Sequence, residues 1–405
     1  MAEEHAPWLT LLGWGESGTA GLTAASRQAL DTAEVVFGAR RHLRLLPPLV
    51  AEVREWPVPF ADGIPQLLAE RGRRVVMLVS GDPFWFGAGT TLTRHLAPGE
   101  WTSLPASSTF SLAVSRLGWP LEGCACLGLH AQPLTRIRPD LQRGRRLLVL
   151  VRDGEAVAEL VELLQRFGFA ESRLHILEAL GGDRERVRSV QAGDAMPGDI
   201  AHPVAVGLEM AGDGPALPLT PGLPDALFEH DGQITKQAVR ALTLAALAPR
   251  AGERLWDIGT GSGSVAIEWL LAHPDNHAVA FERDAERAAR ARRNAHDLGV
   301  DWLEVVEGSA LDVLNDQALS EQPPDAVFIG GGLSQPLLEA LWQRLPAGAR
   351  LVANAVTLES EALLAQWQQV AGGELLRLEL AAAAPLGTRR GWKASYPVVQ
   401  WRVSR

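Results

Sequence analysis

A glycine-rich stretch at residues 255–270 constrains the fold more than any other part of the chain. It begins with a short apolar run and ends with apolar residues at helical spacing, and between them three glycines alternate with small polar residues. A second apolar run, at residues 278–282, ends in Glu282. Strand, glycine turn, helix and strand form a βαβ unit, in which an acid at the second strand end can bind both hydroxyls of a ribose. The stretch therefore predicts a nucleotide site on a Rossmann-like fold.

Two ligand classes compete for this site, a nicotinamide dinucleotide and S-adenosylmethionine (SAM). The dinucleotide spacing would place its third glycine at position 264, which is Ser264. Asp257 precedes the turn, where its charge would repel a pyrophosphate but accept a positive sulfonium. We therefore favour SAM. The candidate contacts in this stretch are Asp257, Gly259, Thr260, Gly261, Ser262, Gly263 and Glu282.

The motif Asp257-x-Gly-x-Gly-x-Gly, together with Glu282, resembles the Rossmann-like class I methyltransferases over about residues 230–405. The resemblance implies that Ser309 and Ala310, after the third strand, hold the adenine edge of SAM. A segment Ile-Thr235-Lys-x-x-Val-Arg is similar to the lead-in of the decarboxylating precorrin methylases, in which the threonine contacts SAM. Capping of the next helix is the alternative role for Thr235.

Two features of the second half bear on its substrate. Gly330 and Gly331 follow the fourth strand, where methylases of exocyclic amines carry Asn/Asp-Pro-Pro-aromatic, and they resemble the signature of the decarboxylating precorrin methylases. Such a glycine floor leaves room for a broad, flat molecule. Before the last strand, a predicted loop gathers a tryptophan and three cations: Arg389, Arg390 and Lys393. This loop is either a solvated hairpin or a site for the carboxylates of an acidic substrate.

The first half of the chain carries a separate set of α/β signals. An apolar strand at residues 8–12 runs into a glycine loop, and a second apolar strand at residues 74–79 ends in a polar turn. Ligands bind at such carboxyl ends of strands, although a plain turn or a helix cap would explain each group singly. The candidate contacts are Gly13, Gly15, Ser80, Gly81, Asp82, Ser107, Ser108 and Thr109.

The order of these motifs resembles the tetrapyrrole (precorrin) methylase family from about residue 7 to 210. The resemblance implies two α/β subdomains with SAM bound between them. In the family the first loop usually reads Gly-x-Gly-Pro-Gly, whereas this chain has Glu16 and Ser17 in place of the proline and the last glycine. The run Glu178-Ala-Leu-Gly181-Gly182 also resembles a late motif of the same family.

Length and composition limit the organisation of the chain. At 405 residues two domains are expected, and glycine and proline are dense between residues 210 and 224. We predict a tetrapyrrole methylase domain at residues 1–210, a linker at 211–224 and a class I methyltransferase domain at 225–405.

Charge and hydropathy narrow the expected partners and location. The net charge of −10 argues against nucleic acid as a partner. The acidic start, residues 1–5, and the lack of a long apolar run argue against a membrane and for the cytoplasm. Cys124 and Cys126 have no nearby histidines, so no metal is expected.

Two unrelated SAM folds in one chain imply two methyl transfers, with one SAM per domain. Both halves resemble enzymes of corrin ring construction, which implies methylation of a precorrin at two meso carbons, 5 and 15, in cobalamin biosynthesis. The resemblance also implies decarboxylation of an acetate side chain by the C-terminal half. Alignment of an electron-rich carbon with the methyl group can supply roughly 7–11 kcal/mol. The alternatives are a class I RNA methyltransferase with an α/β appendage and a non-catalytic SAM-binding regulatory protein. We expect a homo-oligomer, and the sequence identifies no general acid.

Overall fold

A computed structural model describes residues 7–314 and 321–405. It divides into two compact units, Met1–Leu134 with Asp140–Pro215, and Thr135–Pro139 with Ala216–Arg405. The main division falls within the predicted linker, while the domain bounds given above stay a prediction. The acidic start over residues 1–5 lies outside the described residues.

The first sheet of unit 1 is parallel and five-stranded, in the order β3-β2-β4-β1-β5. Its strands are β1 (Leu9–Trp14), β2 (Val35–Gly38), β3 (Glu52–Glu55), β4 (Val75–Ser80) and β5 (Trp101–Leu104). The helices of this half are α1 (Ala24–Asp31), α2 (Arg40–Leu43), α3 (Gly63–Leu68) and α4 (Gly89–Thr93). Strands β1 and β4 are central and almost wholly buried, which explains their continuous apolar runs. Their carboxyl ends therefore lie side by side.

The second sheet of unit 1 is mixed, in the order β6-β7-β10-β8-β9, with only β6 and β7 parallel. Its strands are β6 (Cys124–Gly128), β7 (Arg146–Leu150), β8 (Arg173–Glu178), β9 (Arg186–Gln191) and β10 (Val204–Glu209). Helices α5 (Thr109–Leu117) and α6 (Gly154–Arg166) accompany this sheet. The two sheets give the two α/β subdomains that the resemblance implied.

Unit 2 contains a seven-stranded sheet in the order β13-β12-β11-β14-β15-β19-β16. Its strands are β11 (Arg254–Ile258), β12 (His277–Glu282), β13 (Glu304–Glu307), β14 (Ala326–Ile329), β15 (Arg350–Ala355), β16 (Glu374–Leu378) and β19 (Val398–Ser404). Strands β11 to β15 are parallel, and β19 is antiparallel to both its neighbours. The helices are α7 (Gln237–Leu247), α8 (Ser264–Ala272), α9 (Ala285–Asp297), α10 (Ala310–Val313), α11 (Gln335–Arg344) and α12 (Leu358–Ala371). Apolar clusters cover both faces of the sheet, as expected for a Rossmann-like fold.

Two local expectations for unit 2 are corrected. Helix α7 begins at Gln237, and its N-cap is Lys236, which makes no side-chain cap bond, so Thr235 does not cap this helix. The cations expected in a loop lie instead on β18 (Arg389–Ala394), which pairs with β17 (Ala381–Leu386) in a two-stranded hairpin. Across the described part of the chain, no helix is long and apolar enough to cross a membrane.

Candidate functional site

A cavity of about 370 Å³ opens at the carboxyl edge of the first sheet of unit 1. Loops after β1, β4 and β5 form one side, and residues of β7, β8 and β10 form the other. Its volume is within the usual range for small-molecule sites. All the sequence-predicted residues of the first half except Gly13 line it: Gly15, Ser80, Gly81, Asp82, Ser107, Ser108 and Thr109. The structure therefore brings together residues that are up to about a hundred positions apart.

Gly13 is buried beside the cavity and has a packing role. A Cβ at this position would lie 2.9 Å from the carbonyl carbon of Pro105, and closer still to the amide nitrogen of Ala106 and the carbonyl oxygen of Gly81. A Cβ on Gly15 would meet only the Ser17 hydroxyl, at 3.8 Å. The two glycines thus differ in role, since Gly13, in β1, allows the loops at Gly81 and Pro105 to pack against the strand, whereas Gly15 lines the cavity.

Some of the polar residues lining the cavity also stabilise their own loops. The Ser108 hydroxyl accepts a hydrogen bond from the Ser111 amide at 3.1 Å and caps α5. An Asp82 carboxylate oxygen accepts from the Phe84 amide at 2.9 Å. The local roles considered from the sequence are therefore present, and the same residues still line the cavity.

Arg41, which lines the cavity, and the neighbouring His42 were not among the candidate contacts predicted from the sequence. Arg41 donates to the Ser80 hydroxyl at 2.5 Å, and Nε2 of His42 lies 3.3 Å from the same oxygen. Burial, assisted by the charge of Arg41, lowers the pKa of His42 to about 3, so its imidazole is neutral at neutral pH. Both residues belong to the Gly-Ala-Arg-Arg-His run that begins at Gly38, the last residue of β2; the run contributes to the family resemblance, but no role was predicted for its side chains.

The second candidate site lies at the glycine turn after β11. An oxygen of Glu282 accepts from the Gly261 amide at 2.9 Å, and its other oxygen accepts from the Asp284 amide at 3.0 Å. These two bonds hold the carboxylate at the end of β12, beside the turn. The amide of Gly308 donates to the Glu282 carbonyl at 2.9 Å, which brings the following Ser309 and Ala310 to the same place.

Asp257 lies beneath this turn. Its Oδ2 accepts from the Thr260 hydroxyl at 2.7 Å and from the Ala266 amide at 3.1 Å. The side chain is buried, and no partner for Oδ1 is found among the described residues. Burial, with a smaller contribution from the charge of Glu282, raises the pKa of Asp257 to about 7. Asp257 therefore shapes the turn, and its expected direct contact with the cofactor stays a prediction.

The loop after β14 packs against the glycine turn. The amides of Gly330 and Gly331 donate to the Ile258 carbonyl at 2.9 and 3.3 Å. A Cβ on Gly259 would lie 2.7 Å from three backbone atoms of Gly331, so the two glycine loops touch directly. The predicted substrate floor is thus next to the predicted cofactor turn. Arg389 and Arg390, in contrast, are exposed on the separate hairpin.

The residues at the glycine turn after β11 fit an adenosyl cofactor. The three glycines of the turn have φ values of 68°, 59° and 80°, and a Cβ on Gly261 would meet only the Gln233 carbonyl, at 3.7 Å. Backbone can therefore approach a ligand closely here, before the N-terminus of α8. Each carboxylate oxygen of Glu282 accepts one of the bonds described above and can accept another, from a ribose hydroxyl. Within residues 7–314 and 321–405, no cluster of three or more His, Cys, Asp or Glu side chains suits a metal ion.

The raised pKa of Asp257 predicts how stability depends on pH. The folded chain keeps this proton up to about pH 7, whereas the unfolded chain loses it near the ordinary aspartate value of 3.8, so the contribution of Asp257 to stability falls as the pH rises between them. In Asp257→Asn this fall is absent. We expect the wild type to lose about 2 kcal/mol relative to the variant between pH 5 and pH 7. Urea unfolding at several pH values measures it, with Asp213→Asn, an exposed aspartate, as the control. If the difference in the free energy of unfolding between the wild type and Asp257→Asn did not change with pH, the prediction would be contradicted.

Two family models match the chain. The Tetrapyrrole (Corrin/Porphyrin) Methylases model covers residues 9–195, and the Precorrin methyltransferase domain model covers residues 226–405. These matches confirm both family resemblances drawn from the motifs.

Similar proteins match 98% of the chain. A precorrin-6Y C(5,15)-methyltransferase [decarboxylating] of Sinorhizobium sp is 50% identical over 401 residues, 98% of this chain and 96% of that protein. One from Mycobacterium tuberculosis (strain CDC 1551 / Oshkosh) is 41% identical over 403 residues, 98% and 100% of the two chains. The crystal structure of the C-terminal domain of precorrin-6Y C5,15-methyltransferase from Rhodobacter capsulatus is 51% identical, with a TM-score of 0.44, covering 47% of this chain and 100% of that one. This chain belongs to the family of decarboxylating precorrin-6Y C(5,15)-methyltransferases.

Proposed function

We propose that the chain is a SAM-dependent C-methyltransferase acting on a precorrin of the 6Y or 6B type. It methylates carbons 5 and 15 and decarboxylates an acetate side chain, giving precorrin-8 in cobalamin biosynthesis. The 50% identity across both units carries this proposal, because relatives of the second unit alone would account for only one transfer. The proposal includes a cytoplasmic location, the tetrapyrrole as small-molecule partner, no nucleic acid partner and a homo-oligomeric chain.

Each unit holds one SAM in this proposal. The cofactor supplies a methyl group on a positive sulfonium, and the chain has to hold that group in line with a ring carbon. In unit 1 the cavity-lining residues around Gly15, Ser80 and Thr109 bind it. In unit 2 the amides at Gly261 and Asp284 fix the Glu282 carboxylate, which accepts hydrogen bonds from the ribose.

The second unit carries out the decarboxylation in this proposal. The floor formed by Gly330 and Gly331 lies against the glycine turn, so a flat ring placed there faces the methyl donor. Loss of carbon dioxide needs an electron sink, and the conjugated ring itself provides one. The chain's contribution is therefore the alignment of two ligands, a kind of positioning that can be worth roughly 7–11 kcal/mol.

An anaerobic assay with the full chain tests the function. The chain is incubated with the reduced precorrin and methyl-labelled SAM, and the product is analysed by mass spectrometry. We expect two labelled methyl groups and the loss of one carbon dioxide, and isothermal titration should show two S-adenosylhomocysteine sites per chain. Label transferred to RNA would favour an RNA methyltransferase, and SAM binding without any transfer would favour a regulatory protein. Either outcome would overturn the proposal.

The hairpin cations give a further prediction. We propose that the hairpin binds substrate carboxylates through Arg389, Arg390 and Lys393. Its exposed neighbours Trp392 and Tyr396 would also suit a contact between subunits. For the double reversal Arg389→Glu with Arg390→Glu, we expect the KM for the precorrin to rise about tenfold, because two attractive charges become repulsive. Arg250→Glu, at an exposed arginine, is the control. An unchanged KM would contradict substrate binding, and a lower mass in light scattering would indicate a subunit interface instead.

A further inference from the structure

The residue that replaces the family proline in the first glycine loop, Glu16, joins Arg41, which lines the cavity of unit 1, to Arg184 of the neighbouring loop. Glu16 lines the cavity, and its side chain is only 10% exposed. One oxygen lies 3.0 Å from Nη1 of Arg41 and the other lies 3.1 Å from Nη2 of Arg184. Two guanidinium groups share one carboxylate, so the cluster keeps one net positive charge. The chain as a whole has a net charge of −10, so the positive charge of this cluster is opposite to the overall charge.

The loop that carries Arg184 is held firmly against Glu16. A Cβ on Gly182 would lie 2.7 Å from the Glu16 Cβ and 2.8 Å from its carbonyl oxygen, so only glycine allows this approach. Behind it, Glu185 accepts from the Gly181 amide at 2.6 Å and pairs with Arg116 at 2.5 Å. The late glycine motif therefore closes the loop between β8 and β9 onto the first glycine loop. Arg184 is positioned by backbone packing as well as by its ion pair.

Both arginines present donors to an incoming ligand. The Arg184 side chain is 65% exposed and that of Arg41 is 34% exposed. Arg41 uses one nitrogen for Glu16 and another for the Ser80 hydroxyl, whereas a guanidinium carries five N–H groups. Paired, forked donors of this kind suit carboxylates.

An aromatic wall lines the cavity as well. Trp85 and Phe86 are 38% and 48% exposed, and each rests on the buried Phe110, with ring centroids 5.2 and 5.8 Å away. Phe86 has a φ of 54°, in the left-handed region that costs energy for an aromatic residue. Such strain persists where the surroundings impose it, and it is concentrated at binding sites. Aromatic faces and a cationic pair together match a flat molecule with acidic side chains.

We propose that Arg41 and Arg184, held by Glu16, bind carboxylate side chains of the tetrapyrrole at the cavity of unit 1, while Trp85 and Phe86 contact the face of its ring. This inference rests on the proposed function and names the substrate contacts of the first unit. Because the cavity itself has to hold SAM, the macrocycle meets these groups at the cavity mouth. Glu16 acts as a positioning residue, which gives a role to the departure from the family loop.

The test compares Arg184→Gln and Glu16→Gln with Arg143→Gln in the full chain. Arg143 is a matched control, because it is 73% exposed and paired with a single acid, Asp213. The assay follows the methyl group whose transfer is not accompanied by loss of carbon dioxide, and thermal unfolding verifies that each variant is folded. For the first two variants we expect the KM for the precorrin to rise about 5- to 20-fold, with kcat and the KM for SAM within about twofold of the wild type. The control should match the wild type.

A separate titration distinguishes the two carboxylates that these arginines could bind, those of the tetrapyrrole and that of the methionine part of SAM. Isothermal titration with S-adenosylhomocysteine should give the same affinity for Arg184→Gln and the wild type. Weaker binding of S-adenosylhomocysteine with an unchanged KM for the precorrin would overturn the inference, and so would no change in either. If the wild type itself transferred no methyl group, the proposed function would fail. Direct titration of the tetrapyrrole into wild type and variant would still decide the inference.

Discussion

Replacing Arg240 by leucine is expected to destabilise the second unit by about 3–5 kcal/mol, because it leaves a buried carboxylate without its cation. The Arg240 side chain is fully buried and lies 2.5 Å from Glu268, which is itself 3% exposed, and 3.1 Å from Asp225. It also donates to the carbonyl groups of Leu223 and Thr235. Leucine fills part of the space and supplies none of these bonds.

The same substitution should weaken SAM binding in unit 2. Glu268 accepts from the amides of Gly222 and Leu223 at 2.6 and 2.9 Å, so Arg240 and Glu268 together fasten the lead-in segment to α7 and α8. This segment carries Thr235, and its Gln233 carbonyl lies beside Gly261. A looser segment would have to be ordered when the cofactor binds, which lowers the affinity.

Urea unfolding of the full chain with and without SAM measures both effects. Arg250→Leu is the control, since Arg250 is 74% exposed and 4.0 Å from Glu253, and a surface pair of this kind is worth about 1 kcal/mol or less. Adding Glu268→Gln to Arg240→Leu should recover part of the loss, because it removes the stranded charge and keeps an acceptor oxygen for one of the two amides. A loss no larger than that of the control would show that the buried network is not important for stability.

Gly13→Ala is expected to destabilise unit 1 by about 3 kcal/mol and to close its proposed SAM site. The added methyl group would overlap backbone atoms of two other loops, at Pro105, Ala106 and Gly81. Backbone cannot move aside as a flexible side chain can, so the loops have to separate. Since these loops form the cavity wall, the cavity changes shape with them.

Gly15→Ala is the matched comparison, two residues further along the chain and just after β1. Its methyl group would meet only the Ser17 hydroxyl at 3.8 Å, so the fold should be unaffected, while the cavity becomes narrower. Thermal unfolding and titration with S-adenosylhomocysteine separate the two cases. Gly13→Ala should lower the unfolding temperature and keep only the site of unit 2, whereas Gly15→Ala should keep its stability and bind more weakly in unit 1. Equal unfolding temperatures would contradict the role assigned to Gly13.

The features that the sequence predicted correctly are those that depend on residues close together in the chain. The apolar runs of β1, β4 and β11, the glycine loops after β1 and β11 and the polar turn after β4 were predicted, because strand periodicity and turn residues act over a few positions. The order of the motifs also identified both families, which the comparisons confirm. Of the two roles considered for Thr235, capping of α7 is excluded, because this helix begins at Gln237 with Lys236 as its N-cap.

Amino-acid order by itself determined the two α/β units, the glycine loops and the cofactor class, since each depends on residues close together in the chain. Only the tertiary structure decided which side chains share a site. Glu16 and Arg184 are 168 positions apart, and they meet because the strand order of two sheets brings β1 and the β8–β9 loop to one cavity. Asp257 was visible in the motif, but its inward direction and raised pKa depend on burial by the whole unit. Burial and long-range pairing are properties of the packed chain, so patterns over a few neighbouring residues do not predict them.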